Sequence, residues 1–175
     1  MFTERKFIQR IGKNDMSFYN PPLEERSGWD STSDNNTAVD FIWEINNKKN
    51  QVTEVMEHLL HTVYYALQFI NPDVWSFTNQ NSLVNKAMQE AIVRGVYNIN
   101  DYRSLFNEDE NVYYRVIVQE FVFWIIYTIW GFTSIYKTDS SPEWNIFYLS
   151  QLRSLLPLSI ELYNNHIENV IMAPS

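Results

Sequence analysis

From position 51 onward, apolar residues recur three and four apart, the spacing of amphipathic helices. Met56, Leu60, Val63 and Leu67 form one such stripe and predict a helix over 51–70, closed by Pro72. Leu83, Val84, Ala87, Met88, Ala91 and Ile92 predict a second helix, capped from 78–81 and stopped by Gly95 just past its end. Asn98 and Asp101 offer caps for a short helix through Phe106. The acidic run Asn107-Glu-Asp-Glu suits the start of the longest helix, which the pattern carries to about Ile135. Ser141-Pro142-Glu143 reads as another start, a cap followed by proline and an acid. It predicts a helix carrying Trp144, Phe147, Tyr148, Leu152 and Leu155, restarted or kinked at Pro157. A last helix through Ile160, Tyr163, Ile167 and Ile171 ends near Ala173.

The stretch 116–136 is apolar nearly all round and long enough to cross a bilayer. Gln119 and Glu120 near its start, with Thr128, Gly131, Thr133 and Ser134 further on, favour a central core helix over a membrane span. Residues 1–36 read as an irregular arm, because Asn20-Pro-Pro-Leu, Ser27-Gly-Trp and Ser31-Thr-Ser-Asp-Asn-Asn are turn chemistry. Phe18, Tyr19, Leu23 and Trp29 are expected to pin that arm to the body. Thr37-Ala-Val-Asp40 has capping-box spacing and favours a short helix, although the alternation Val39, Phe41, Trp43, Ile45 also suits a strand. The expected fold is all-α: a single domain over 37–175, five to seven helices around the apolar helix 109–135, with the arm 1–36 packed on it.

Composition narrows the function classes. With 45% apolar and 16% aromatic residues in 175, the chain can build a full core. The formal net charge of −8 is concentrated in residues 51–175, where 13 acidic residues face 6 basic ones. Without a basic stripe to neutralise phosphates, no nucleic-acid partner and no anionic membrane surface is expected. The absence of cysteine excludes disulfides, thiolate ligands and cysteine nucleophiles. The opening Met1-Phe-Thr-Glu-Arg-Lys lacks the apolar run of a signal peptide, so a cytoplasmic location is expected over a secreted one.

The most concentrated chemistry is Glu54-Val-Met-Glu57-His58-Leu-Leu-His61. At about 100° per residue, Glu54, Glu57, His58 and His61 share an arc of roughly 100°, and Tyr65 extends it. Imidazole and carboxylate together suit zinc or another divalent metal. The same four residues lie opposite the apolar stripe, where a solvated face with ordinary i,i+4 ion pairs is the simpler expectation. Glu120 bears on the choice, because an uncompensated carboxylate inside an apolar helix is costly. It calls either for an arginine partner such as Arg94, Arg115 or Arg153, or for convergence on His58 and His61. Tyr113, Trp124 and Tyr127 share its face and would limit solvent access to such a site. His166 reads as a surface residue.

Glu57-His58-Leu-Leu-His61 resembles a rearranged form of the zincin peptidase motif H-E-x-x-H, with the histidines three apart and the glutamate ahead of the first. Ala87-Met-Gln-Glu-Ala-Ile, Gln119-Glu-Phe and Pro157-Leu-Ser look similar to segments of uncharacterised microbial proteins of zincin-like character. That resemblance implies a metallopeptidase-like site with metal on His58 and His61, Glu120 or Glu54 as third ligand, and Glu57 as general base. Two functions stand beside each other. One is a metal-dependent, peptidase-like hydrolase. The other is a non-catalytic helical protein, without metal, whose aromatic surface binds a partner or a second copy of itself.

Overall fold

The computed structural model describes residues 6–12, 37–43, 48–136 and 143–174. The chain divides within one helix into two compact units, Met1–Thr62 and Val63–Ser175. The arm residues 13–36, with Phe18, Tyr19, Leu23 and Trp29, lie outside the described residues.

In the first unit, β1 (Lys6–Gly12) pairs in parallel with β2 (Thr37–Trp43), from Lys6 opposite Thr37 to Gly12 opposite Trp43. The helix expected from Thr37 is therefore a strand. The alternating β-branched and aromatic residues Val39, Phe41 and Trp43 outweigh the capping-box spacing. The segment 6–12, expected to be irregular, is likewise extended. Helix α1 (Lys48–Ile70) follows and carries the Glu/His stretch.

Among its described residues, the second unit is all helix and connecting turn apart from one isolated bridge. Pro72 ends α1 and opens the single turn α2 (Pro72–Trp75), where proline is suited to the first helical position. Ser82 caps α3 (Leu83–Val93) by accepting from the Asn85 amide. Gly95 follows at φ +68°, the left-handed conformation that ends a helix with little strain for glycine alone. Asn98 Oδ1 accepts from the Asn100 amide at the start of a 3₁₀ turn, Asn100–Tyr102, that leads into α4 (Arg103–Glu108). Asp109 then caps α5 (Glu110–Ile129), its Oδ1 accepting from the amides of Asn111 and Val112.

Helix α5 is long and apolar enough to cross a membrane, yet its side chains are packed inside the fold. An unbroken run from Glu120 to Thr128 is buried. Helices α3, α4, α7 and α8 all touch α5, as does the short helix that follows it. The expected continuation to Ile135 breaks at Gly131, φ +81°, and resumes as α6 (Phe132–Tyr136).

The helix expected from Ser141-Pro142-Glu143 starts later, as α7 (Leu149–Leu155). Residues 143–147 run without helix because their backbone is engaged elsewhere: the Asn98 amide donates to Glu143 O, and the Asn145 amide to Val96 O. This pairing seats Trp144 beside Tyr97, and Trp144 Nε1 donates to Thr128 Oγ1 at 3.0 Å. Helix α8 (Pro157–His166) opens on Pro157 and ends well short of Ala173. Glu90 of α3 accepts from the Leu158 amide at its N-terminus, tying α3 to α8. Eight α-helices and one 3₁₀ turn are thus found among the described residues, where five to seven helices were expected.

Candidate metal centre

Helical spacing places Glu54, Glu57, His58, His61 and Tyr65 on one side of α1, and that side is not a solvated face. His61 is 3% exposed and Tyr65 5%. Tyr64, between them in sequence, is fully buried. The exposed positions of the same helix are Lys48, Lys49, Leu59, Ala66, Phe69 and Ile70. The apolar stripe is buried only in part: Leu60 and Leu67 are inside, while Met56 and Val63 are intermediate. The buried arc therefore includes the histidine side of α1, contrary to the simpler reading of an amphipathic helix.

Within that arc the residues sort into two groups. His58 Nε2 lies 3.2 Å from Glu54 Oε1, an i,i+4 pair with both side chains 15% exposed. The rings of His58 and His61 meet edge to face with centroids 5.2 Å apart. Glu57, His61 and Glu120 each offer a ligand atom, and these atoms all lie within 4.8 Å of one another. His61 and Glu120 are buried and Glu57 partly so. One imidazole nitrogen and two carboxylate oxygens make a mixed donor set suited to zinc and similar divalent ions. The set differs in membership from the one expected. It contains a single histidine, and Glu57 stands among the ligand candidates instead of apart as a base. His58 and Glu54 form the neighbouring pair.

The aromatic residues expected around the site are largely inside. Tyr113, Trp124 and Tyr127 are buried on α5, with Trp124 and Tyr127 edge to face at 6.2 Å. Tyr113 packs on Phe106 and Tyr114. Tyr65 sits edge-on to Phe69. Of the arginines considered for Glu120, Arg94 lies 3.8 Å from Glu90, Arg153 is exposed on α7, and Arg115 is buried on α5 itself. His166 is half-buried, its ring edge against Trp75, and takes no part in the cluster.

Sequence reasoning missed Glu143 and Tyr102. The Tyr102 hydroxyl donates to Glu143 Oε1 at 2.8 Å. Burial, and next to it the nearby Glu120 charge, raises the Glu143 carboxyl to about 7 even though hydrogen bonding from Tyr102 and Trp124 pulls the other way. Burial, with the charges of Glu120 and Glu143, also raises Tyr102 far above the usual phenol range. Tyr97 is raised for the same reasons, and its hydroxyl donates to Ile117 O at 2.8 Å. The sequence signal for Glu143 was visible but misassigned, since an acid after Ser-Pro resembles a helix start.

No family model matches the chain, and neither a curated relative nor a solved structure does. The case for function therefore rests on the residues themselves.

Proposed function

We propose that this chain is a metal-dependent hydrolase of peptidase-like chemistry, holding one zinc or other divalent ion on Glu57, His61 and Glu120. The observation that carries the reading is the convergence of one imidazole and two carboxylates, two of the three buried. Three protein ligands leave a coordination position open, as catalytic zinc sites do and closed structural sites do not. Bound there, a divalent ion would polarise a carbonyl and lower the pKa of a coordinated water to near neutrality. A carboxylate engaged as a ligand is poorly placed to act as base as well. That role passes from Glu57 to His58, which Glu54 holds at 3.2 Å and whose ring abuts His61. Glu54 would fix the orientation of the His58 ring and stabilise its protonated form.

Elemental analysis of untagged protein, reconstituted with zinc and desalted, tests the ligand set. One equivalent is expected in the wild type and in H166A, and less than a fifth of that in E57Q, H61A and E120Q. H58A should keep its metal while losing peptide hydrolysis, measured on a quenched-fluorescence peptide mixture. A wild type that retains no metal would end this reading.

The alternative, a helical interaction protein, draws support from its apolar surface. Ile70, Val93, Val170 and Met172 are 61–87% exposed. Light scattering would test it: a stable dimer that V93D or M172D dissociates, in a protein free of metal, would favour this alternative.

A further inference from the structure

We propose that residues 99–109 form a flap over the side of α5 between Tyr113 and Trp124, hinged at both ends and latched by the hydrogen bond from Tyr102 to Glu143. The inference stands apart from the metal reading and rests on how the segment is tied down. No residue in 98–112 is buried, although Tyr97 before it and Tyr113 near its end are. Tyr97 donates its hydroxyl to Ile117 O, and the Asn98 amide donates to Glu143 O, so the chain is anchored up to residue 98. At the far end Asp109 is extended, φ −156° and ψ 111°, between α4 and α5. Element-terminal residues of this kind absorb the backbone rotation of a hinge.

Between these ends the backbone bonds are local, the Tyr102 amide donating to Ile99 O and the Asp109 amide to Leu105 O. Among the described residues, the one hydrogen bond from 99–108 to a distant part of the chain is Tyr102 Oη to Glu143 Oε1, at 2.8 Å. The apolar hold is the Phe106 ring, set edge-on to Tyr113 and Tyr114 at 5.2 and 6.3 Å and still 45% exposed. A segment with few buried contacts and one outside hydrogen bond opens at low free energy, ahead of the core. The catch side of the latch is rigid. Trp144, next to Glu143, is fully buried and stacks on Trp124 with centroids 6.2 Å apart and planes 7° apart. The flap is therefore held at Tyr113 near the start of α5 and, through Glu143 and Trp144, at Trp124 further along. Opening it gives solvent and small ligands access to this side of the helix.

The test is hydrogen exchange by mass spectrometry on the full chain in wild type, Y102F, E143A and E143Q. Y102F and E143A each remove the latch, one from either side, and should speed exchange of 99–109 about tenfold, as expected for one lost hydrogen bond. Exchange in 84–91 and 117–126 should stay that of the wild type. E143Q keeps an acceptor for the Tyr102 hydroxyl and should stay within about threefold of the wild type. Tryptic cleavage after Arg103, which is exposed on α4, should accelerate in step with exchange. E143A serves should Y102F fail to fold. Unchanged exchange of 99–109 in either folded variant would overturn the latch. An equal rise in 84–91 and 117–126 would overturn the flap, because the segment would then open only with the whole unit.

Discussion

Helices α1 and α5 are the longest among the described residues, and they bury opposite chemistry. Helix α5 puts aromatic and aliphatic side chains inward on every side, with Phe121, Val122, Phe123, Ile125, Ile126 and Tyr127 fully buried. Helix α1 is one-sided, and His61 and Gln68 lie within its buried arc. Burying α5 is favourable on area alone, at about 25 cal/mol per Å² of apolar surface. Burying the histidine side of α1 gains less and requires partners for its polar atoms. The contrast separates a helix whose burial is favourable on area alone from one whose buried side carries polar groups. It can be attacked from either side.

The largest effect is expected on α5. Phe121→Ala removes a fully buried ring that touches both Tyr97 and Trp144. The cavity should cost about 3–5 kcal/mol, read from urea denaturation midpoints at constant slope. A loss below about 1 kcal/mol would mean that α5 is not the structural centre of its unit.

For α1 the expected sign differs. His61→Leu replaces a buried imidazole with an apolar side chain, which in metal-free protein should be neutral or mildly stabilising. The metal response should vanish. Zinc at a hundred times its Kd should stabilise the wild type by about 2.7 kcal/mol and the variant not at all. Thermal melts with and without zinc measure both. If metal-free H61L is strongly destabilised, the histidine side of α1 is structural and the contrast with α5 collapses.

Much of α3 and α5 could be read in advance because their signals are local. Ser82, Gly95 and Asp109 act on backbone within a turn of themselves, and apolar periodicity does the rest. The segment after Pro142 could not be read, because its backbone pairs with Val96 and Asn98, more than forty residues away. A start signal loses to hydrogen bonds that only the folded chain supplies. Periodicity on α1 found the buried Leu60 and Leu67 but left His61 and Tyr65 on the solvated side, since polarity predicts exposure only where no polar partner waits inside. Hence Glu57, His61 and Glu120 were nameable from sequence, while the separation of His58 with Glu54 from that group was not.

A smaller effect, of opposite sign to ordinary acid denaturation, is expected from Glu143 in metal-free protein. Its folded value of about 7 lies above the ordinary 4.5, so the native state binds the proton more tightly than the unfolded one. Its contribution to stability is therefore fully present below about pH 4.5 and is lost as pH rises towards 7. At about 1.4 kcal/mol per unit, reduced for partial exposure, the loss is about 2 kcal/mol. Urea titrations at pH 5 and pH 8 should show it, and E143Q should flatten the difference. A wild type whose stability is unaffected by Glu143→Gln at both pH values would place that carboxyl in solvent.

The smallest effect concerns how α5 begins. Asp109 Oδ1 accepts from the Asn111 and Val112 amides at 2.9 and 3.2 Å, and Glu110 adds a second acid to the first turn. Asp109, Glu110 and Asn111 stand at an exposed helix end, where capping and the helix dipole act but burial does not. Asp109→Ala should therefore cost about 1 kcal/mol, and Asp109→Asn, which keeps an acceptor, no more than a few tenths. The loss in the alanine variant should diminish little with salt, because most of it is hydrogen bonding and only a minor part is the screened dipole interaction. If alanine is harmless, the start of α5 is set entirely by the packing of Tyr113 and the residues beyond it. The apolar helix would then owe its register to the core alone, a stronger form of the contrast with α1.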